Sequence, residues 1–158
     1  MVVLVVLLSV FVVTWGILTI AQRPNRICTA GCIAFAALFL FTGVSHFSLA
    51  DGMVKMLPEW VPSRYAIIYI TGLMEIVLGL GVLRPSSRRI SGLVTLAFLI
   101  CVFPSNIYAA LNSVDFGGNV NGPRYLFFRI PLQIFLLLWV WFMAIRRPQH
   151  SMVSSKES

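Results

Sequence analysis

Long apolar runs separated by short polar punctuation make up most of the chain. Val2–Ala21, Ile27–Phe47, Tyr65–Leu83, Ile90–Leu111 and Tyr125–Ile145 each approach the ~20 residues an α-helix needs to cross about 30 Å of hydrocarbon. The strict apolar–polar alternation of a barrel strand is absent. Backbone polar groups in lipid must be satisfied within their own helix or in a closed barrel, so the runs predict five membrane-spanning helices. The first run lacks a basic leader and exceeds the ~7–15 apolar residues of a signal peptide, so it is expected to be a retained span.

The connections alternate in character. Gln22–Arg26 and Arg84–Arg89 are short, basic and proline-containing, which suits tight helix-to-helix turns. Ser48–Arg64 and Asn112–Arg124 are longer and carry Gly, Pro, Asp and Asn. Met53, Met56, Leu57 and Trp60 give the first of these the look of a short amphipathic piece lying at the interface, the depth that Trp prefers. Residues 146–158 form a polar tail, expected to be disordered and cytoplasmic.

Composition agrees with this pattern. Hydrophobic residues are 59% of the chain and charged residues 11%, against about 45–50% and about 25% in soluble domains, and the mean hydropathy is +0.92. The net charge of +7 lies at the ends of hydrophobic runs, without the basic stripe and interleaved aromatics of a nucleic-acid binder. Arg23, Arg26, Arg84, Arg88, Arg89, Arg146 and Arg147 all belong to one side. By the positive-inside rule that side is cytoplasmic and the N-terminus is outside.

Each intramembrane polar residue then has an expected depth, from a helical rise of about 1.5 Å per residue. His46 falls at the outer boundary and Glu75 about 15 Å deep. Asn106 is about 7 Å, Arg129 about 6 Å and Gln133 about 12 Å below the outer surface. All five lie in the outer half, and the inner half offers small neutral groups such as Thr29, Ser91 and Thr95. A charge at a helix centre costs at least ~2.5–3.5 kcal/mol, so such residues are retained for a reason. A Glu75–Arg129 contact, direct or through Gln133, would relieve both charges. Three readings stand: a pair that sets helix register, a ligand pocket, or a proton or ion path. Cys28 and Cys32 are one turn apart and, with Cys101, read as small packing residues rather than a redox or metal pair. One intramembrane His and one Glu do not make a metal site.

Six segments in series resemble the DoxX/DoxX-like membrane family: Phe41-Thr-Gly-Val-Ser-His-Phe47, Leu57-Pro-Glu-Trp-Val-Pro62, Ile70-Thr-Gly-Leu-Met-Glu-Ile-Val-Leu-Gly79, Arg84-Pro-Ser-Ser-Arg-Arg89, Phe103-Pro-Ser-Asn-Ile107 and Arg129-Ile-Pro-Leu-Gln133. The resemblance implies an all-α polytopic transmembrane helix bundle, with a four-helix DoxX-like core over residues 27–145. Residues 1–22 would be an extra N-terminal transmembrane helix, which is a departure from the family's pattern. It also implies that His46, Glu75, Asn106, Arg129 and Gln133 occupy recurrent polar positions, and it makes the bacterial plasma (inner) membrane the expected setting.

Two functions compete. The first is binding of a small lipophilic, quinone-like molecule in an outer-leaflet polar pocket, in association with a membrane redox system. Paired haem histidines, a Cys-x-x-Cys and a dinucleotide loop are all missing from the sequence, so a redox centre would belong to the bound molecule or a partner. The second is a non-enzymatic membrane subunit or assembly factor with a structural Glu–Arg pair. Neither makes the chain an enzyme on its own. A transporter is a weaker third, without a visible inverted repeat or broken helix pair unless the chain oligomerises. The expected partners are the lipid bilayer and another membrane protein.

Overall fold

A computed structural model describes residues 2–116 and 119–146 of the chain. The spans are α1 (Val2–Ile20), α2 (Arg26–Ser48), α4 (Arg64–Leu83), α5 (Arg88–Leu111) and a fifth crossing, Gly122–Ile145. That crossing comprises the end of a 3₁₀ segment (Asn119–Tyr125), α6 (Leu126–Val140) and a π-helical turn (Trp141–Ile145). All five are long and apolar enough to cross a membrane. The tail expected over residues 146–158 lies outside the described residues apart from Arg146.

Helix α2 is the axis of the bundle, with α1, α4 and the α6 end all packed on it. Its sequence explains why. Ala30, Gly31, Ala34, Ala36 and Gly43 are buried small residues, and small residues let membrane helices approach closely where water supplies no drive between them. The closest approach is to α4. A Cβ on Gly43 would stand 2.8 Å from the Gly72 carbonyl oxygen, and one on Gly72 would stand 2.5 Å from His46 Cβ. Only glycine permits that contact at both positions. Helix α5 packs on α4 and α6, which closes a four-helix core of α2, α4, α5 and α6.

Helix α1 differs from the rest. Leu7 is its one buried residue among those described, while Val2, Val5, Val12, Val13 and Ile17 face outward. Its inner face meets α2, and Phe11 sets its ring edge-on to Trp139 of α6 at 5.1 Å. It is a lipid-facing helix laid against the core.

The stretch expected as an interfacial amphipathic piece is helical only over α3 (Ala50–Val54). Ala50 and Val54 pack on Ile68 of α4, with Met53 and Leu57 alongside, and the Tyr65 hydroxyl donates to Asp51 at 2.9 Å. Trp60 remains 81% exposed, as an interfacial anchor requires.

Candidate functional site: polar side chains at the helix crossings

The five predicted polar residues form two neighbouring groups, each bridging one helix pair. On α2 and α4, His46 Nδ1 lies 3.7 Å from Glu75 Oε2 and 2.9 Å from the Thr42 carbonyl oxygen. A carbonyl oxygen only accepts, so Nδ1 carries the ring proton. Glu75 Oε2 is buried and has no hydrogen-bond donor among the described residues. Thr42, whose hydroxyl donates to the Leu38 carbonyl at 3.0 Å, stands beside the Glu75 carboxyl group.

On α5 and α6, Arg129 Nη2 donates to Asn106 Oδ1 at 2.6 Å, and Asn106 Nδ2 donates back to the Val102 carbonyl at 3.3 Å. Gln133, one turn beyond Arg129, donates to the Leu99 carbonyl at 2.7 Å. Prolines shape both helices at this level: Pro104 lies inside α5 and Pro131 inside α6. A helical proline supplies no N–H to the carbonyl four residues earlier, and in lipid the freed groups need side-chain or neighbouring-helix partners. The Asn106 amide bonds the Val102 carbonyl, two residues before Pro104, and the Gln133 amide bonds the Leu99 carbonyl, five residues before it.

Two expectations are corrected. The Glu75–Arg129 pair is not formed: the side chain nearest the Glu75 carboxyl from α2 is His46, and Arg129 is turned to Asn106. Gln133 does not mediate, because its amide is committed to Leu99. Arg129 is close enough to act on Glu75 through its field only. The physical reason is helix neighbourhood, since α4 packs chiefly on α2 while α6 packs on α5 and its own π-helical end.

The second correction concerns depth. His46 at the boundary and Glu75 about 15 Å below it cannot touch, yet they do. The ends of α2 and α4 are not flush. The glycine contact fixes His46 at the level of Gly72, and α3 with its Asp51–Tyr65 link occupies the layer beyond it. Sequence reasoning missed Thr42 and Gly43 as builders of this site. Gly72 belongs to the small-residue stripe on α4 (Thr71, Gly72, Glu75, Gly79), a pattern that lets a neighbouring helix approach closely, and α2 does so there.

The opposite end of the bundle is also more polar than depth alone predicted. Arg88 Nε donates to the Val82 carbonyl at 3.1 Å and Nη1 reaches to within 3.9 Å of Cys28 Sγ. Thr95 is fully buried there with its hydroxyl unpartnered among the described residues. A shallow depression of about 350 Å³ lies at the α1–α2 turn, lined by Gln22, Arg23, Pro24, Asn25, Arg26 and Ile27, away from the five-residue cluster.

No curated protein and no solved structure matches the chain. One family model does, over residues 35–144. That range holds His46, Glu75, Asn106, Arg129 and Gln133 and leaves α1 outside. The chain therefore belongs to the family described as a domain of unknown function, DUF8561.

Proposed function

We propose that this chain is a multi-pass membrane protein that binds a small lipophile with a hydrogen-bonding head group, a quinone or quinol being the expected occupant. The observation that carries this reading is Glu75 Oε2, a buried carboxylate oxygen with no donor among the described residues. A buried acceptor left unmade costs about 1–3 kcal/mol, and more when charged. A quinol hydroxyl donating to Glu75 would remove that cost. The Arg129 guanidinium, held by Asn106, is the matching donor for a second oxygen of the head group. Pockets of this kind need a few oriented polar groups in an apolar cleft, and the two groups at the helix crossings supply them.

In this reading the site lies in the outer half of a bacterial plasma membrane, with the Arg-rich end cytoplasmic, and the chain serves a membrane redox partner rather than catalysing alone. The DoxX-like resemblance supports the setting and does not define the ligand. A second reading has an observation of its own. The Arg129–Asn106 and Gln133–Leu99 bonds both cross from α6 to α5, as they would in a non-enzymatic subunit whose polar groups only lock helices together.

Native mass spectrometry of the protein in nanodiscs drawn from its own membrane separates the two. The binding reading expects a retained molecule of quinone mass that is lost in Glu75→Gln while the bundle stays folded. Protein free of any such molecule, or retention unchanged in Glu75→Gln, leaves the structural reading in place.

A further inference from the structure

At the Arg-rich end, away from the polar cluster, α2 packs two thiols and a glycine against Met143 of the π-helical turn. Cys28 and Cys32 are one turn apart on α2 and both are buried. Their thiols donate to the same atom, the Met143 carbonyl oxygen, at 3.0 and 3.5 Å, and each thiol lies within reach of the other. The Met143 side chain folds over the glycine between them: a Cβ on Gly31 would stand 2.7 Å from Met143 Sδ. The Met143 carbonyl lies in the π turn and faces α2, and such turns are often placed where a helix does more than span. Arg88 closes the group, its Nη1 3.9 Å from Cys28 Sγ.

We propose that Cys28, Cys32 and Met143 bind a soft monovalent cation, Cu(I), with Arg88 as counter-charge. Spacing argues against a disulfide. Cβ atoms at i and i+4 of a helix are about 5–6 Å apart, whereas a disulfide needs about 3.5–4.5 Å. An ion between the sulfurs, with metal–thiolate bonds of about 2.3 Å, spans the wider gap without unwinding the helix. Ligand count argues against zinc, which takes four ligands in structural sites. Among the described residues no group of three His, Cys, Asp or Glu is placed to hold a metal. Two thiolates and a thioether are the soft set that selects Cu(I).

The charges balance. Binding expels both S–H protons to solvent and no electron moves, because Cu(I) enters and stays monovalent. Two thiolates and one Cu⁺ leave a net charge of −1, which the Arg88 guanidinium neutralises. A neutral assembly is what a low-dielectric environment tolerates. In the empty state both thiols keep their protons and donate to the Met143 carbonyl.

The test uses the full chain in detergent with Cys101→Ser, which removes the exposed thiol. It is titrated anaerobically with Cu(I) against a chromophoric Cu(I) chelator. One equivalent should be retained, with no Zn(II) retained at the same concentration. Cys28→Ser or Cys32→Ser should abolish retention. Arg88→Gln, by analogy with other outer-shell changes, should weaken it about 10-fold. No retained copper, or copper held equally by both serine variants, overturns the site. If the serine variants do not fold, one equivalent of Ag(I) should block both buried thiols of the folded parent from maleimide. Alkylation of both at the silver-free rate overturns the site equally.

Discussion

His46 Nδ1 faces Glu75 Oε2 across the α2–α4 crossing at 3.7 Å, directly over the point where His46 Cβ meets Gly72. The pair therefore reports the register of the two helices. Sliding α2 by one turn relative to α4 would move His46 off Gly72 and away from Glu75. A buried carboxylate without a counter-charge is expensive, whereas the pairing of two partly buried groups adds only modest net stability. The value of the pair is in specifying which register is allowed.

It follows that His46 is more than a boundary residue. His46→Ala opens space beside Gly72 and strands Glu75, and should cost about 1–3 kcal/mol by analogy with other buried polar losses. The double variant His46→Ala/Glu75→Gln should recover part of this. Thermal unfolding in detergent measures both, and a double variant as weak as the sum of its parts would mean that the two side chains are independent.

Arg129 and Asn106 should behave as one unit. Their 2.6 Å contact is a charge-assisted hydrogen bond, a class worth about 1.5–3 kcal/mol. A cycle of Arg129→Gln and Asn106→Ala is expected to give a coupling above about 0.5 kcal/mol, the scatter seen for independent sites. The cycle of Arg129→Gln with Glu75→Gln, which reads only the field between the two groups, should give the smaller coupling. The reverse order of couplings would mean that Arg129 turns to Glu75 in the membrane.

Glycine substitutions should sort by position. At Gly72 an alanine meets His46 Cβ at 2.5 Å and the Gly43 carbonyl at 3.0 Å, neither of which is the flexible end of a side chain. Overpacking of this kind costs about 1–3 kcal/mol. At Gly16 there is nothing within 4 Å, and alanine gains up to about 1 kcal/mol in helix propensity. Melting of Gly72→Ala below wild type with Gly16→Ala at or above it is the expected outcome; equal melting would remove the close α2–α4 approach.

The charge distribution predicts sidedness. In a cysteine-free variant, Glu59→Cys is expected to react with a membrane-impermeant maleimide in intact cells and Ser86→Cys only after lysis. Both positions are exposed, so accessibility on either side is not in question. Labelling in the opposite order inverts the bundle.

Helix number and limits were legible in the sequence alone, because hydrocarbon thickness sets a length and the backbone has no other way to satisfy itself there. The predicted start at Ile27 and the observed start of α2 at Arg26 differ by one residue. The polar residues worth attention were legible too, since each is costly enough in lipid to stand out singly. Their partners were not. Depth counted from helix ends assumed that α2 and α4 end flush, but the glycine contact sets their offset and α3 fills the space above His46. Which acceptor Arg129 takes depends on which helices are neighbours, and α4, α5 and α6 are similar apolar cylinders until packed. Cys28 and Cys32 read as packing residues and both are buried in the core, but their shared partner Met143 is more than one hundred residues away in the chain. Its carbonyl and thioether reach α2 only once the end of α6 has packed there. Burial cost is a property of single residues and can be read along a chain, whereas pairing is a property of two surfaces and exists only once those surfaces have met.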